Sequence, residues 1–226
     1  MEAFKFLDRA GVSTLTGYRW PLPSGRAPGP WVEAVAVRPC HAGIHACTEA
    51  HLAYWIAERL WVVELDGETL PAEHKIVAGR GRLVRRVDSW HSRIRAELAA
   101  DVAWRSRDLA VSALRAHGHG ALADRLASCS SLDDVAALRS AASITIGEDA
   151  LRDAALLAGD CAFAAAHGKP AEAPFVAACA AGHATTVDGG AESAYRTAFH
   201  AERDRQSRWM IERLDVAPRR HGWWRR

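Results

Sequence analysis

Lysine is scarce in this chain, and long apolar runs are missing. Only Lys5, Lys75 and Lys169 are lysines among 29 basic residues, and with abundant alanine this is typical of GC-rich codon usage. The apolar runs fall far short of the ~20 residues that a membrane-spanning helix needs. The first residues also lack the apolar core and cleavage site of a signal peptide. We therefore expect a soluble, cytoplasmic protein with no transmembrane segment.

Cysteine occurs five times, an odd number, and no second Cys or His pair stands at a familiar metal spacing. An odd number argues against a secreted disulfide framework and favours a reducing compartment. A metal is disfavoured because structural zinc sites draw two separated ligand pairs. The chain also lacks a Walker A sequence, a Gly-x-Ser-x-Gly element and a complete dinucleotide fingerprint. The commonest sequence signatures of nucleotide binding and hydrolysis are therefore absent.

The composition is that of an ordinary globular protein. Hydrophobic residues make up 49% of the 226 residues and charged residues 25%, with a net charge of +2. A balance this close to neutral gives no strong nucleic-acid signal and no membrane-surface signal. The expected partner is a small-molecule substrate or another protein.

Short strand patterns, broken by turns, fill the first ninety residues. Strands are expected at Phe4–Leu7, Thr16–Trp20, Val32–Val37, Leu60–Leu65, Lys75–Ala78 and Arg82–Val87. Asp66-Gly67 predicts a tight turn. Thr48 is expected to cap a helix from about Glu49 to Arg59. Residues 1–90 are therefore predicted to form a small β-rich module with a mixed or antiparallel sheet.

The pattern changes to helical after residue 90. Ile94, Leu98 and Val102 recur every four residues, as on one face of a helix. Ser131 and Asp134 match a capping box. Further helices are expected over residues 132–140, 148–167, 174–185 and 192–214.

These patterns define three segments and one fold class. The class is α+β, with the strand-rich module over residues 1–90 and an Ala-rich antiparallel helical bundle over residues 91–215. A basic, Trp-containing tail over residues 216–226 follows the last predicted helix.

The segment Cys40-His-Ala-Gly-Ile-His-Ala-Cys47 concentrates two cysteines and two histidines in eight residues. If it is extended, His45 and Cys47 point to the same side. The partial positive charge of a following helix, and a protonated histidine, would favour a Cys47 thiolate. Alternatively, the cysteines are small buried residues and Gly43 serves a turn.

The enzymatic hypothesis gives each candidate residue a role. His45 would be the general acid or base, and Cys47 the nucleophile or a polar neighbour. The remaining candidates would bind substrate: Lys5 and Arg19 through its anionic group, and Trp20 or Trp55 through a flat ring. These roles describe a transferase or hydrolase that acts on a small nucleotide-like or aromatic anionic substrate.

Several stretches of the first module resemble a known domain. They are Phe4-Lys-Phe-Leu7, Gly17-Tyr-Arg-Trp20, the Cys40–Cys47 segment, Trp61-Val-Val-Glu-Leu-Asp-Gly67 and Lys75-Ile-Val-Ala-Gly-Arg-Gly-Arg-Leu-Val84. They are similar to a widespread bacterial domain of unknown function. Its most specific part is a Cys-x-x-Gly-Ile-His-Ala-Cys element. The resemblance implies no activity.

The order of elements also resembles ADP-ribosyltransferase-type folds. That likeness implies NAD as the cofactor, with Lys5 or Arg19 at its pyrophosphate and His45 near the nicotinamide. It also implies Glu64 or Glu68 as the catalytic acid. The chain departs from those folds because it has no Ser-Thr-Ser element.

The helical half resembles the Ala-rich helical domains of some immunity-type proteins. This likeness supports the alternative hypothesis, a non-catalytic protein-binding or immunity-type module. In that module Cys40 and Cys47 would be structural.

Overall fold

The computed structural model describes residues 1–147, 149–187, 189 and 191–216. Two compact units make up the chain: Met1–His91 together with the residues from Ser207 onward, and Ser92–Gln206. The predicted α+β class is confirmed, because an antiparallel sheet comes first and helices follow. Apart from Val216, the predicted tail over residues 216–226 lies outside the described residues.

Five antiparallel strands form the sheet of the first unit. They are β1 (Glu2–Leu7), β2 (Val32–Glu33), β3 (Ile44–Ala46), β4 (Arg59–Ala72) and β5 (Lys75–Arg86). The order is β1-β4-β5-β2, and β3 also pairs with β5. The β4–β5 hairpin reverses over two residues, since Ala72 pairs with Lys75.

Strand β3 connects β5 to β1. Its residues pair with β5, and Cys47, just after its end, exchanges two backbone hydrogen bonds of 2.8 Å with Phe4 of β1. β1, β4, β5 and β3 therefore form a closed circuit of hydrogen-bonded neighbours. Ile44 and Ala46 of β3 belong to the hydrophobic core, so the alternation of a strand turns His45 to the other side.

Asp66-Gly67 lies inside β4, so the predicted turn at this dipeptide is wrong. Gly67 has a φ of +75°, and the register with β5 shifts between Asp66 and Thr69. An extra residue with positive φ makes a bulge, which bends a strand without ending it. Pairing with β5 resumes beyond the bulge, and the strand continues to Ala72.

Thr16–Trp20, predicted as a strand, folds instead as part of a compact turn. The amide of Ser13 donates to the Tyr18 oxygen, and the amide of Trp20 donates to the Gly11 oxygen. These two bonds flank a single antiparallel bridge between Val12 and Arg19, which does not extend into a strand. They hold the buried Trp20 ring in the core beside β1.

The helix predicted from Glu49 is a short 3₁₀ helix, Glu49–Trp55. Thr48 precedes it, but the Thr48 hydroxyl lies 3.2 Å from the ring of His51 and caps no backbone amide. His51 has non-helical angles, which interrupt the helix after its first turn. The expected charge effect of a capped α-helix on Cys47 is therefore lost.

Seven helices account for the helical residues beyond His91 that the structure describes. They are α1 (Ser92–Ala116), α2 (Gly120–Ala127), α3 (Leu132–Ala137), α4 (Arg139–Thr145), α5 (Asp149–Ala166), α6 (Ala173–Ala184) and α7 (Glu192–Arg213). The predicted capping box is confirmed, because the Asp134 amide donates to the Ser131 hydroxyl and the Ser131 amide donates to the Asp134 carboxylate. In the described ranges, no helix combines the length and the apolar character needed to cross a bilayer.

A buried carboxylate organises the polar contacts of the second unit. Glu202 accepts hydrogen bonds from Arg105 at 2.7 Å, Arg205 at 2.9 Å and the Gln206 amide at 3.1 Å. Arg205 also contacts Asp101 at 2.9 Å. A buried charge with this many donors is compensated locally, and removing it would leave Arg105 without this carboxylate and Arg205 with Asp101 alone.

Candidate functional site

A cavity of about 650 Å³ opens on the first unit. Its walls come from β1, from the turn that carries Trp20, and from the Cys40–Cys47 segment with the start of β5. The residues that give it chemical character are Lys5, Lys75, Trp20, Trp55, Cys40 and His45. Cavities of this size suit a small organic molecule.

Lys5 is the cation inside this cavity. Its ammonium donates to the backbone oxygen of His45 at 2.7 Å and lies 4.9 Å from the centre of the Trp20 ring. No carboxylate pairs with it among the described residues. Burial lowers the pKa of Lys5 to about 8, although the nearby Cys47 opposes this shift. The protein therefore holds an ammonium where its charge is poorly solvated.

Lys75 is the second cation of the cavity. Its ammonium lies 5.5 Å from the centre of the Trp55 ring and donates to the sulfur of Cys40 at 2.9 Å. The Trp55 indole donates to the His74 backbone oxygen at 2.8 Å, which fixes the ring. Each cation of the cavity thus lies against a tryptophan, an arrangement that cation–π attraction stabilises.

The imidazole of His45 is held by the backbone on both sides. Nδ1 lies 3.1 Å from the Gly43 oxygen, and Nε2 accepts the Cys40 amide hydrogen at 3.2 Å. These partners fit the neutral tautomer with its proton on Nδ1. Burial, together with Lys75 and Lys5, lowers the pKa of His45, while the bond to Gly43 opposes the shift. Its basic nitrogen is therefore already occupied.

Cys47 lines the cavity but is almost completely buried. Its thiol lies 3.5 Å from the Phe4 oxygen. Burial raises the pKa of Cys47 to about 12, and the neighbouring Lys5 only partly offsets that rise. The expectation of a stabilised Cys47 thiolate is wrong, because desolvation of the sulfur outweighs the positive charge nearby.

Arg19 and Glu64 lie outside this cavity. The Arg19 guanidinium donates to the Ala10 backbone oxygen at 3.2 Å and is exposed. Glu64 forms an ion pair of 2.7 Å with Arg82 on the neighbouring strand. The structure therefore groups Lys5, Trp20, His45, Cys47 and Trp55 around one cavity and places the other two candidates elsewhere.

Of the residues that give the cavity its chemical character, Cys40 and Lys75 were not among the sequence candidates. Cys40 belongs to the predicted segment but had no role, and Lys75 was assigned only to a strand. The composition held a clue to Lys75, because lysine is rare in this chain. The chain has three lysines among 29 basic residues, and two of the three line this cavity.

Comparison with known proteins adds no relative. The chain has no significant match to a protein-family model, to a curated protein or to a solved structure. The chemistry of the cavity therefore has to be argued from its own residues.

Proposed function

We propose that the first unit binds a small, flat, anionic molecule of the nucleotide or aromatic-acid class in this cavity. Lys5 is the observation that carries the proposal. Its ammonium lies in the cavity with no paired carboxylate among the described residues, and its lowered pKa means that burial destabilises the charge. A bound anion would supply the missing partner.

The tryptophans support the flat part of the ligand. Trp20 and Trp55 both line the cavity, and each lies beside a lysine. Trp55 is partly exposed and offers a face for stacking, whereas the buried Trp20 forms part of the wall. An aromatic ring can stack on an indole while its anionic group contacts the adjacent ammonium. Glu33 also lines the cavity, but it is exposed and lies 3.9 Å from Arg80, so its charge is partly countered.

The reaction itself stays a prediction. A transferase or hydrolase mechanism through His45 and Cys47 has less support than binding, because the imidazole nitrogens are hydrogen bonded and the thiol is buried. Glu64 would have to leave Arg82 to act as an acid. NAD, implied by the ADP-ribosyltransferase likeness, likewise stays a prediction, as does the likeness itself.

The alternative, a non-catalytic protein-binding module, is supported by the surroundings of Cys47 and His45. Burial of Cys47 and the two backbone contacts of His45 support a structural role for both. This alternative gives no role to a cavity that contains two lysines.

Matched pairs of ligands test the proposal. We would titrate the protein with AMP and adenosine, with benzoate and benzamide, and with anilinonaphthalene sulfonate, following tryptophan fluorescence and calorimetric heat. We expect at least one anion to bind saturably, its neutral partner to bind about tenfold more weakly, and Lys5→Met to weaken the anion by a similar factor.

Lys169→Met is the control, since Lys169 belongs to the second unit and pairs there with Glu172. The proposal is refuted if none of the anions binds saturably. It is also refuted if an anion binds with an affinity that Lys5→Met leaves unchanged.

A further inference from the structure

Cys40 is the accessible thiol of the cavity. Its side chain is exposed, whereas Cys47 is buried. The Lys75 ammonium donates a hydrogen bond to the Cys40 sulfur at 2.9 Å. Exposed cysteines in contact with a cation are the kind of site where nucleophilic cysteines are found.

The backbone at Cys40 is held in an unusual conformation. Cys40 has a φ of +65°, and within the described ranges it is the only residue besides glycines with positive φ. Its amide donates to His45 Nε2, and the surrounding turn is closed by hydrogen bonds between Arg38 and Ala42. Left-handed backbone costs about 1 kcal/mol or more and is common at functional sites. His45 thus acts as a positioning residue for Cys40.

We propose that Cys40 is the nucleophile of the cavity and that it captures a small anionic electrophile, with the Lys75 ammonium hydrogen-bonded to its sulfur. The substrate class is an acyl donor that carries an anionic, aromatic body. This inference rests on the proposed function, because the anionic part of the donor would occupy the same cavity beside Lys5.

The step is a substitution at carbon. The sulfur of Cys40 supplies an electron pair to the electrophilic carbon and forms a C–S bond. The bond from that carbon to its leaving group breaks, and the leaving group departs with the bonding electrons. The Lys75 ammonium can give the leaving group a proton. Attack of water or an acceptor on the carbonyl carbon of the resulting thioester would then break the C–S bond, release the Cys40 thiolate and complete hydrolysis or transfer.

Alkylation with two simple probes tests this inference. Native protein would be treated at neutral pH with neutral iodoacetamide or anionic iodoacetate, and the rate at each cysteine would be followed by peptide mass spectrometry. Both probes form a C–S bond and release iodide. We expect Cys40 to react first, and we expect Lys75→Met to slow it about tenfold while Lys75→Arg retains most of the rate.

Cys129 is the internal control. It is only partly buried, it belongs to the second unit, and its thiol contacts the Arg125 backbone oxygen instead of an ammonium. Its rate should be the same in both Lys75 variants. Thermal melting of each variant would show that the first unit is still folded.

The outcomes separate the two proposals. If Cys40 reacts no faster than Cys129, or if Lys75→Met leaves its rate unchanged, Cys40 is not an activated nucleophile, whatever the cavity binds. If Cys40 reacts fast but its ratio of iodoacetate rate to iodoacetamide rate is no higher than the same ratio for glutathione, the anionic substrate class fails, while the proposed function is decided by the ligand titrations. A preference for iodoacetate that Lys5→Met removes would support both.

Discussion

The Lys5 ammonium donates to the backbone oxygen of His45 at 2.7 Å, across 40 residues of sequence. This bond joins β1 to β3 at the same level as the Phe4–Cys47 backbone bridge. The charged group and the segment that carries Cys40 are therefore parts of one rigid arrangement. A substitution at Lys5 should therefore change the surroundings of the Cys40 segment, and a substitution in that segment should change those of Lys5.

Lys5→Met should stabilise the folded protein at neutral pH. The pKa of Lys5 is about 8 in the folded state, against an ordinary value of about 10.4. A shift of this size corresponds to about 3 kcal/mol of destabilisation below pH 8, from which the lost hydrogen bond and ring contact must be subtracted. We expect urea unfolding to show a gain of about 1–2 kcal/mol at pH 7.

The same shift predicts a pH dependence with a definite sign. Between about pH 8 and pH 10.4 the unfolded chain binds the Lys5 proton and the folded chain releases it, so wild-type stability should rise with pH in this window. The difference between wild type and Lys5→Met isolates this effect from other groups. An advantage of Lys5→Met that does not shrink with rising pH would contradict it.

Cys47 and Cys161 should resist alkylation until the protein unfolds. Burial raises the pKa of both thiols to about 12, so neither forms a thiolate at neutral pH. Labelling with iodoacetamide in buffer and in guanidinium chloride, followed by peptide mapping, checks this. Labelling of Cys47 in the native protein would restore it as a candidate nucleophile.

Gly43→Ala should be strongly destabilising. Gly43 has a φ of +120°, and an added Cβ would lie 2.4 Å from Cγ1 of Val77. Gly67→Ala is the matched control, because Gly67 also has positive φ but its Cβ would meet nothing within 4 Å. We expect losses of about 3 kcal/mol and about 1 kcal/mol in denaturant unfolding.

A second substitution separates the steric contact with Val77 from the cost of the positive φ at residue 43. Val77→Ala alone should also lose stability, because Val77 is fully buried. In that background Gly43→Ala should cost less than in the wild type, and the loss that remains is the backbone cost. Equal losses for Gly43→Ala and Gly67→Ala would show that contact with Val77 is unimportant.

Glu202→Ala should destabilise the second unit by about 1–3 kcal/mol, because Arg105 and Arg205 lose the buried carboxylate that they share, while Arg205 keeps Asp101. Glu212→Ala is the comparison on the same helix, since Glu212 is exposed and its ion pair with Arg213 is weak. It should change stability by less than about 0.5 kcal/mol. Similar losses for both variants would refute the role of burial.

Local sequence patterns predicted features that depend on neighbouring residues better than features that depend on the pairing of strands. The capping box of Ser131 and Asp134 was correct because it depends on four consecutive residues. Gly67 was taken for a turn because the dipeptide signal cannot tell a hairpin from a bulge. That distinction depends on the register with β5, which is set by side chains distant in sequence.

The candidate site was found in part for the same reason. Trp20, His45, Cys47 and Trp55 were named from local chemistry and Lys5 from the likeness to ADP-ribosyltransferase-type folds, and all five line the cavity. Which thiol is exposed depends on the bridge between Cys47 and Phe4, and this contact spans 43 residues. Sequence spacing alone therefore favoured Cys47, whereas the exposed thiol is Cys40.

The closed circuit of β1, β4, β5 and β3 has a consequence for solubility. Unpaired strand edges are the places where sheets of separate molecules join, and here β3 covers part of the free side of β1 and of β5. A variant that dislodges β3 would uncover both edges at once. Destabilising substitutions in the segment that carries Cys40 and His45 should therefore cause the protein to self-associate.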